Sequence, residues 1–117
     1  PRGVPGMTKR ECHAWAAGLF EGEGCLFWSE RKGRNYARAA LASSDEDVVR
    51  RFHEIVGGIG TVQFMKRRRP EHKDLWRWSG DGIENIRGLG EIIGPYLCER
   101  RSSKLAELLQ WVPKEKR

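Results

Sequence analysis

Residues 16–24 read Ala16-Ala17-Gly18-Leu19-Phe20-Glu21-Gly22-Glu23-Gly24, and the rest of the chain is organised around them. The stretch begins as a helix and ends as a turn. Ahead of it, Thr8-Lys9-Arg10-Glu11 has the pattern of a capping box, with Thr8 as N-cap and Glu11 reaching back. Cys12, Ala14, Trp15, Ala16, Ala17, Leu19 and Phe20 make the helix apolar nearly all round, which predicts burial. Ala14, Ala17, Gly18 and Gly22 recur at spacings of three and four and are predicted to share one face. A stripe with almost no side chain lets a second helix backbone come very close. Gly22-Glu23-Gly24 stops the helix, because glycine permits backbone angles that other residues avoid. Glu23 then adds a carboxylate to the negative end of a helix, a costly placement. A carboxylate beside exposed backbone carbonyls offers oxygen ligands to a hard cation such as Mg2+. The stretch therefore reads as a tight helix pair with a metal site at its foot.

These residues resemble the LAGLIDADG motif of the homing endonucleases in an acidic Glu-Gly-Glu-Gly form. Ala17, Gly18, Leu19 and Gly24 match it, and Glu21 and Glu23 stand for its aspartates. Gly22 is a common variant of its alanine. Ala16 and Phe20 depart from it, both at packing positions.

The 117 residues suit one domain with a modest core. Charged residues make up 32% and apolar ones 38%, a globular balance. Lys and Arg number 22 against 16 Asp and Glu, a net charge of +6. That excess suits an anionic partner such as nucleic acid, or plain basic solubility. Three cysteines without a Cys-x-x-Cys pair read as reduced packing residues of an intracellular protein, in cytoplasm, nucleoid or organelle. No signal peptide or membrane-spanning run is found in the sequence.

Residues 1–7 read as a leader outside the fold, with Met7 as the expected native start. Cys25 to Arg34 reads as a strand running into a basic turn at Lys32-Gly33-Arg34-Asn35. Tyr36 to Ser43 returns, with Ala37, Ala39 and Leu41 on one face and Tyr36, Arg38, Ala40 and Ala42 on the other. Ser44-Asp45-Glu46-Asp47 opens a helix with Val48, Val49, Phe52, Ile55 and Val56 at helical spacing. Gly57-Gly58-Ile59-Gly60 ends it. A strand is predicted over 61–69, with Val62 and Phe64 toward the core, and its return over 73–80 carries Trp76 and Trp78 on one face. A helix follows over 83–93, and a last one from Ser102 as cap to Trp111, with Pro113 as stop and 113–117 as a tail.

This order predicts an α+β domain over 8–112, αββαββα(α), with a four-stranded antiparallel sheet and helices on one face. The other face offers Ser29, Tyr36, Arg38, Gln63, Lys73 and Arg77, with Arg31, Lys32, Arg34, Arg67 and Arg69 toward the hairpin turns. Such a face is either merely solvated or a DNA-binding surface. A two-stranded ribbon fits the major groove, where arginine pairs with guanine and glutamine with adenine, and basic turns suit phosphates.

The resemblance implies more, over roughly residues 8–112. Single-motif members are homodimers, so the implied interface is Ala14, Ala17, Gly18 and Gly22, and the sheet becomes half of a saddle on a near-palindromic target. The implied activity is site-specific double-strand DNA cleavage by metal-dependent phosphodiester hydrolysis, of the intron-encoded kind. Glu23 takes the place of the metal ligand, with the Gly22 carbonyl beside it. Mg2+ is the implied cofactor, and Ca2+ is expected to support binding without cleavage. Arg100 falls where the family keeps a basic residue near the metal; the bland alternative is a surface arginine. Glu21 is assigned to structure. The family often has glutamine or asparagine on the second strand, where this chain has Ala40, Ala42 and Ser43. That departure keeps open a second reading, a non-cleaving DNA- or RNA-binding protein such as an intron maturase or regulator. A structural module with a basic surface is the third. His13, His53 and His72 are scattered and receive no role.

Overall fold

The computed structural model describes residues 4–110. Helix α1 (Lys9–Glu23) leads into the hairpin β1 (Gly24–Arg31) and β2 (Arg34–Ser43). Helix α2 (Glu46–Ile55) follows, then β3 (Thr61–Met65) and β4 (Leu75–Asp81). Helix α3 (Ile83–Ile93), a 3-10 turn (Gly94–Tyr96) and helix α4 (Glu99–Gln110) complete the described chain. The four strands form one antiparallel sheet in the order β1-β2-β4-β3. This is the α+β order expected from the sequence.

The capping box of α1 is complete. The Glu11 N–H donates to Thr8 Oγ1 at 3.1 Å, and the Thr8 N–H donates to Glu11 Oε1 at 2.8 Å. The Thr8 backbone N–H and then its hydroxyl hold the Glu11 carboxyl below the usual carboxylate range. The first hairpin turns at Lys32 and Gly33, whose φ angles of 53° and 77° are both left-handed. A two-residue loop with that twist closes a hairpin without splaying its strands, and here it pairs Arg31 with Arg34.

The core lies between the sheet's inner face and the helices. Leu26, Ala37, Ala39, Leu41 and Trp78 face it from the strands, as the alternation predicts. Phe52 of α2 bridges the layers, stacked on Phe20 of α1 at 6.1 Å and edge-on to Trp78 at 4.8 Å. The buried Trp78 indole N–H donates to the Ile59 carbonyl at 2.7 Å, so burial leaves no orphan donor.

Several expectations are corrected. Helix α1 is not covered all round: Ala14, Gly18, Gly22 and Glu23 are exposed. Strand β3 stops at Met65 rather than Arg69. Beyond it the Arg67 N–H donates to Asp74 Oδ1 at 2.9 Å, closing a loop instead of extending the ladder. Arg67, Arg69 and Lys73 therefore sit in the β3–β4 loop. Phe64, expected in the core, is 50% exposed, because it lies on the edge strand, where its ring packs beside Trp76. The last helix begins at Glu99, not Ser102; its expected end at Trp111 and the tail lie outside the described residues. Within the expected leader, Val4 and Met7 pack against the core, and the Met7 N–H donates to the Val4 carbonyl at 3.0 Å.

Candidate nucleic-acid interface and acidic site

Glu23 is the last residue of α1 and is exposed at its foot. The helix stops there because Gly24 turns to extended backbone (φ -87°, ψ 164°) and begins β1. A Cβ on Gly24 would run into the Phe20 ring at 2.5–2.6 Å, so only glycine lets the chain turn so close to the core. The last turn of α1 holds no basic residue to offset Glu23.

The two motif acids have different surroundings. Glu21 is tied down: its Oε1 accepts from the Cys98 N–H at 2.8 Å, and its backbone carbonyl accepts from Arg101 Nε at 3.0 Å. Arg101 Nε also lies 3.5 Å from Glu21 Oε2, and its guanidinium covers the Phe20 ring at 5.8 Å. Glu21 thus fastens the foot of α1 to the start of α4, as its structural assignment requires. Glu23 makes no such bond among the described residues.

Arg101 was not singled out by sequence reasoning, which chose Arg100. Both line a cleft of about 330 Å³ between β1 and α4, with Cys25, Ser103, Lys104 and Glu107. Arg101 is 12% exposed and committed to Glu21, and Lys104 pairs with Glu107 at 3.2 Å. Arg100 is exposed at the rim of this cleft and unpaired among the described residues. The only signal that could have separated Arg100 from Arg101 was helical phase: Leu105 and Leu108 set the buried side of α4, and Arg101 shares it.

The expected interface stripe divides. A Cβ on Gly18 or Gly22 would meet nothing within 4 Å, and Ala14 is exposed with them. Ala17 is 2% exposed and belongs to the chain's own core. The open face is therefore Ala14, Gly18 and Gly22, a strict spacing of four, ending beside Glu23.

Cross-strand register assembles the outer sheet face. One row is Ser29 with Tyr36, the next Phe27, Arg38 and Asp81, then Cys25, Ala40, Ser79 and Thr61, then Ala42, Arg77 and Gln63. Ser29, Tyr36, Arg38, Gln63 and Arg77 thus share one face, with Arg31 and Arg34 opposite each other beside the Lys32 turn. Arg67 and Arg69 line a shallow cleft of the β3–β4 loop with Arg68 and Pro70, and Lys73 lies exposed further along that loop. Ala40 stands between Cys25 and Ser79, so no amide side chain occupies that place.

Among the described residues no group of three or more His, Cys, Asp or Glu side chains converges to hold a metal ion. One chain offers the Glu23 carboxylate and the adjoining Gly22 carbonyl. These are hard oxygen donors that fit Mg2+ or Ca2+, with further ligands to come from elsewhere.

No protein-family model matches the sequence, and no curated protein matches it. Solved structures do. The homing endonuclease I-CvuI in complex with its target in the presence of Ca superposes with a TM-score of 0.69 at 20% identity. The match covers 87% of this chain and 66% of that one, so the chain spans just under two thirds of I-CvuI. The homing endonuclease I-TnaI gives 0.62 at 17% identity, covering 82% and 67%. The LAGLIDADG meganuclease I-AabMI, bound to uncleaved DNA, gives 0.63 at 15% identity, covering 80% of this chain and 33% of that one. The chain has the fold of the LAGLIDADG homing endonucleases, and one stretch, Ala16 to Gly24, resembles their motif.

Proposed function

We propose that this chain acts as a homodimeric, site-specific endonuclease that cuts both strands of a long, near-palindromic DNA duplex. The observation that carries this reading is the foot of α1. There Glu23, exposed and unpaired among the described residues, ends a helix face formed by Ala14, Gly18 and Gly22, to which a second helix can come very close. Packing that face on its symmetry mate brings two Glu23 carboxylates together. The basic outer faces of the two sheets then supply one half-site each.

Each part of the site has a chemical role in this reading. Glu23 and the Gly22 carbonyl would hold Mg2+, as hard oxygen donors. Mg2+, when bound, supplies water activation and stabilises the leaving oxygen. Arg100, with no carboxylate partner among the described residues, donates to a phosphate oxygen as negative charge builds in the transition state. Arg101 and Glu21 keep the foot of α1 in place. Arg38, Gln63 and Arg77 face the major groove, while Arg31, Lys32, Arg34, Arg67, Arg69 and Lys73 take phosphates.

The test is Glu23→Gln. Cutting is lost while binding in Ca2+ stays; surviving cleavage would remove Glu23 from the active site. Ala40 supports a second reading, a DNA- or intron-RNA-binding protein that does not cut, since no amide side chain stands there to position water. Under that reading the wild-type protein binds its duplex in Mg2+ and leaves it intact.

A further inference from the structure

Asp81 stands out on a face otherwise suited to phosphate. It lies opposite Arg38 in the β2–β4 register, and it is the one carboxylate lining a cleft of about 390 Å³ with Arg31, Arg34, Asn35 and Tyr36. Its Oδ1 is 3.0 Å from Arg38 Nε, but the N–H does not point along that line. Both atoms are buried and neither has an aligned hydrogen-bond partner among the described residues, although the Asp81 and Arg38 side chains are 39% and 19% exposed. Arg77 differs: its buried Nε also lacks a partner among the described residues, but no carboxylate of those residues pairs with it. Nor does the Asp81 carboxylate hold the next helix. The backbone carbonyl of Asp81 accepts from Asn85 Nδ2 at 2.9 Å, and the Gly82 N–H donates to the Ala37 carbonyl at 2.8 Å.

A carboxylate on this surface repels phosphates and weakens general affinity for DNA. What it offers instead is an acceptor. In the major groove an aspartate accepts from the cytosine N4 amine, and an arginine donates to guanine O6 and N7. We propose that Asp81 is a specificity-determining residue, which with Arg38 reads a G·C pair at one position of each half-site. Asp81 cancels the charge of Arg38, so this arginine adds to base choice without adding to phosphate attraction. The assignment rests on the outer sheet face being the DNA surface.

The test compares the wild-type protein with Asp81→Asn and with the double variant Arg38→Gln/Asp81→Asn. Each is used to select duplexes from a randomised library in Ca2+, and affinity is followed against salt. The wild-type protein enriches G·C at a symmetric pair of positions. Asp81→Asn loses that preference and keeps the others, and its plot of log K against log salt steepens by about 0.9, one phosphate equivalent. The double variant returns to the wild-type slope without regaining the preference. A merely structural ion pair would leave base choice unchanged. If Asp81→Asn selects the wild-type sequence with the wild-type slope, the assignment falls alone. If the wild-type protein selects no duplex, the DNA-surface reading falls and the assignment with it. Circular dichroism of each variant shows that it folds; should Asp81→Asn unfold, Asp81→Glu replaces it, and an unchanged G·C preference at a lengthened side chain overturns the assignment.

Discussion

Gly18→Ala separates a free helix face from an interface. Gly18 lies inside α1, and an added Cβ would meet nothing within 4 Å in a single chain. Glycine in a helix interior costs about 1 kcal/mol relative to alanine, so an isolated chain gains about that much from the substitution. For a domain of this size the gain raises Tm by about 4–6 °C. If the face packs on its symmetry mate, the same methyl enters a backbone-to-backbone contact on both sides of the axis. Overpacking of that kind costs about 1–3 kcal/mol, which raises the dimer dissociation constant about 5- to 150-fold. The assay is sedimentation equilibrium over a range of concentrations, with thermal melts at the lowest one. A more stable monomer and a weaker dimer are expected. Gly18→Leu carries this further, to monomer or aggregate. A Gly18→Ala protein that melts higher with an unchanged dimer would show the face to be plain surface, and the proposed interface would be wrong.

Glu21→Ala should leave the Cys98 N–H without its acceptor and Arg101 without its carboxylate partner, cost about 1–3 kcal/mol, and speed hydrogen exchange at the start of α4; unchanged protection there would refute the fastening role. Gly60→Ala should destabilise by about 2–4 kcal/mol in a denaturant titration. Its φ is +79°, and a Cβ would collide with the Ser79 carbonyl oxygen and come within 2.9 Å of Trp78 Nε1, whose bond to Ile59 would be disturbed. Glu11→Gln tests the capping box by pH. Because folding lowers the Glu11 pKa, its stabilisation is present above the unfolded value and is lost as pH falls through the folded one. The variant should therefore melt below the wild-type protein at pH 7, and the two should converge in acid.

What the sequence made legible was local. The capping box, the Lys32-Gly33 turn and the alternation of Ala37, Ala39 and Leu41 each depend on neighbours within a few positions, and each is seen as read. What escaped it depends on partners far along the chain. Ser102 looks like an N-cap, yet α4 starts earlier, because the N–H ahead of it is satisfied by Glu21, 77 positions away. Phe64 alternates like a core residue, but the alternation cannot say that β3 is an edge strand. Ala17 looks like its small neighbours on α1, and only the packing of the other helices decides that it turns inward while Gly18 stays open. Arg100 and Arg101 are chemically identical; helical phase puts Arg101 on the buried side of α4, but its partner there, Glu21, lies 80 positions earlier. Asp81 went unread for the same reason: its importance lies in a cross-strand neighbour 43 positions earlier.

The most direct test of the central claim is selection of bound duplexes from a randomised DNA library in Ca2+, followed by addition of Mg2+. Near-palindromic winners that are cut on both strands once Mg2+ is present are the expected result. Winners without two-fold symmetry would contradict the homodimer, and symmetric winners that stay intact in Mg2+ would contradict the nuclease and direct attention to Ala40.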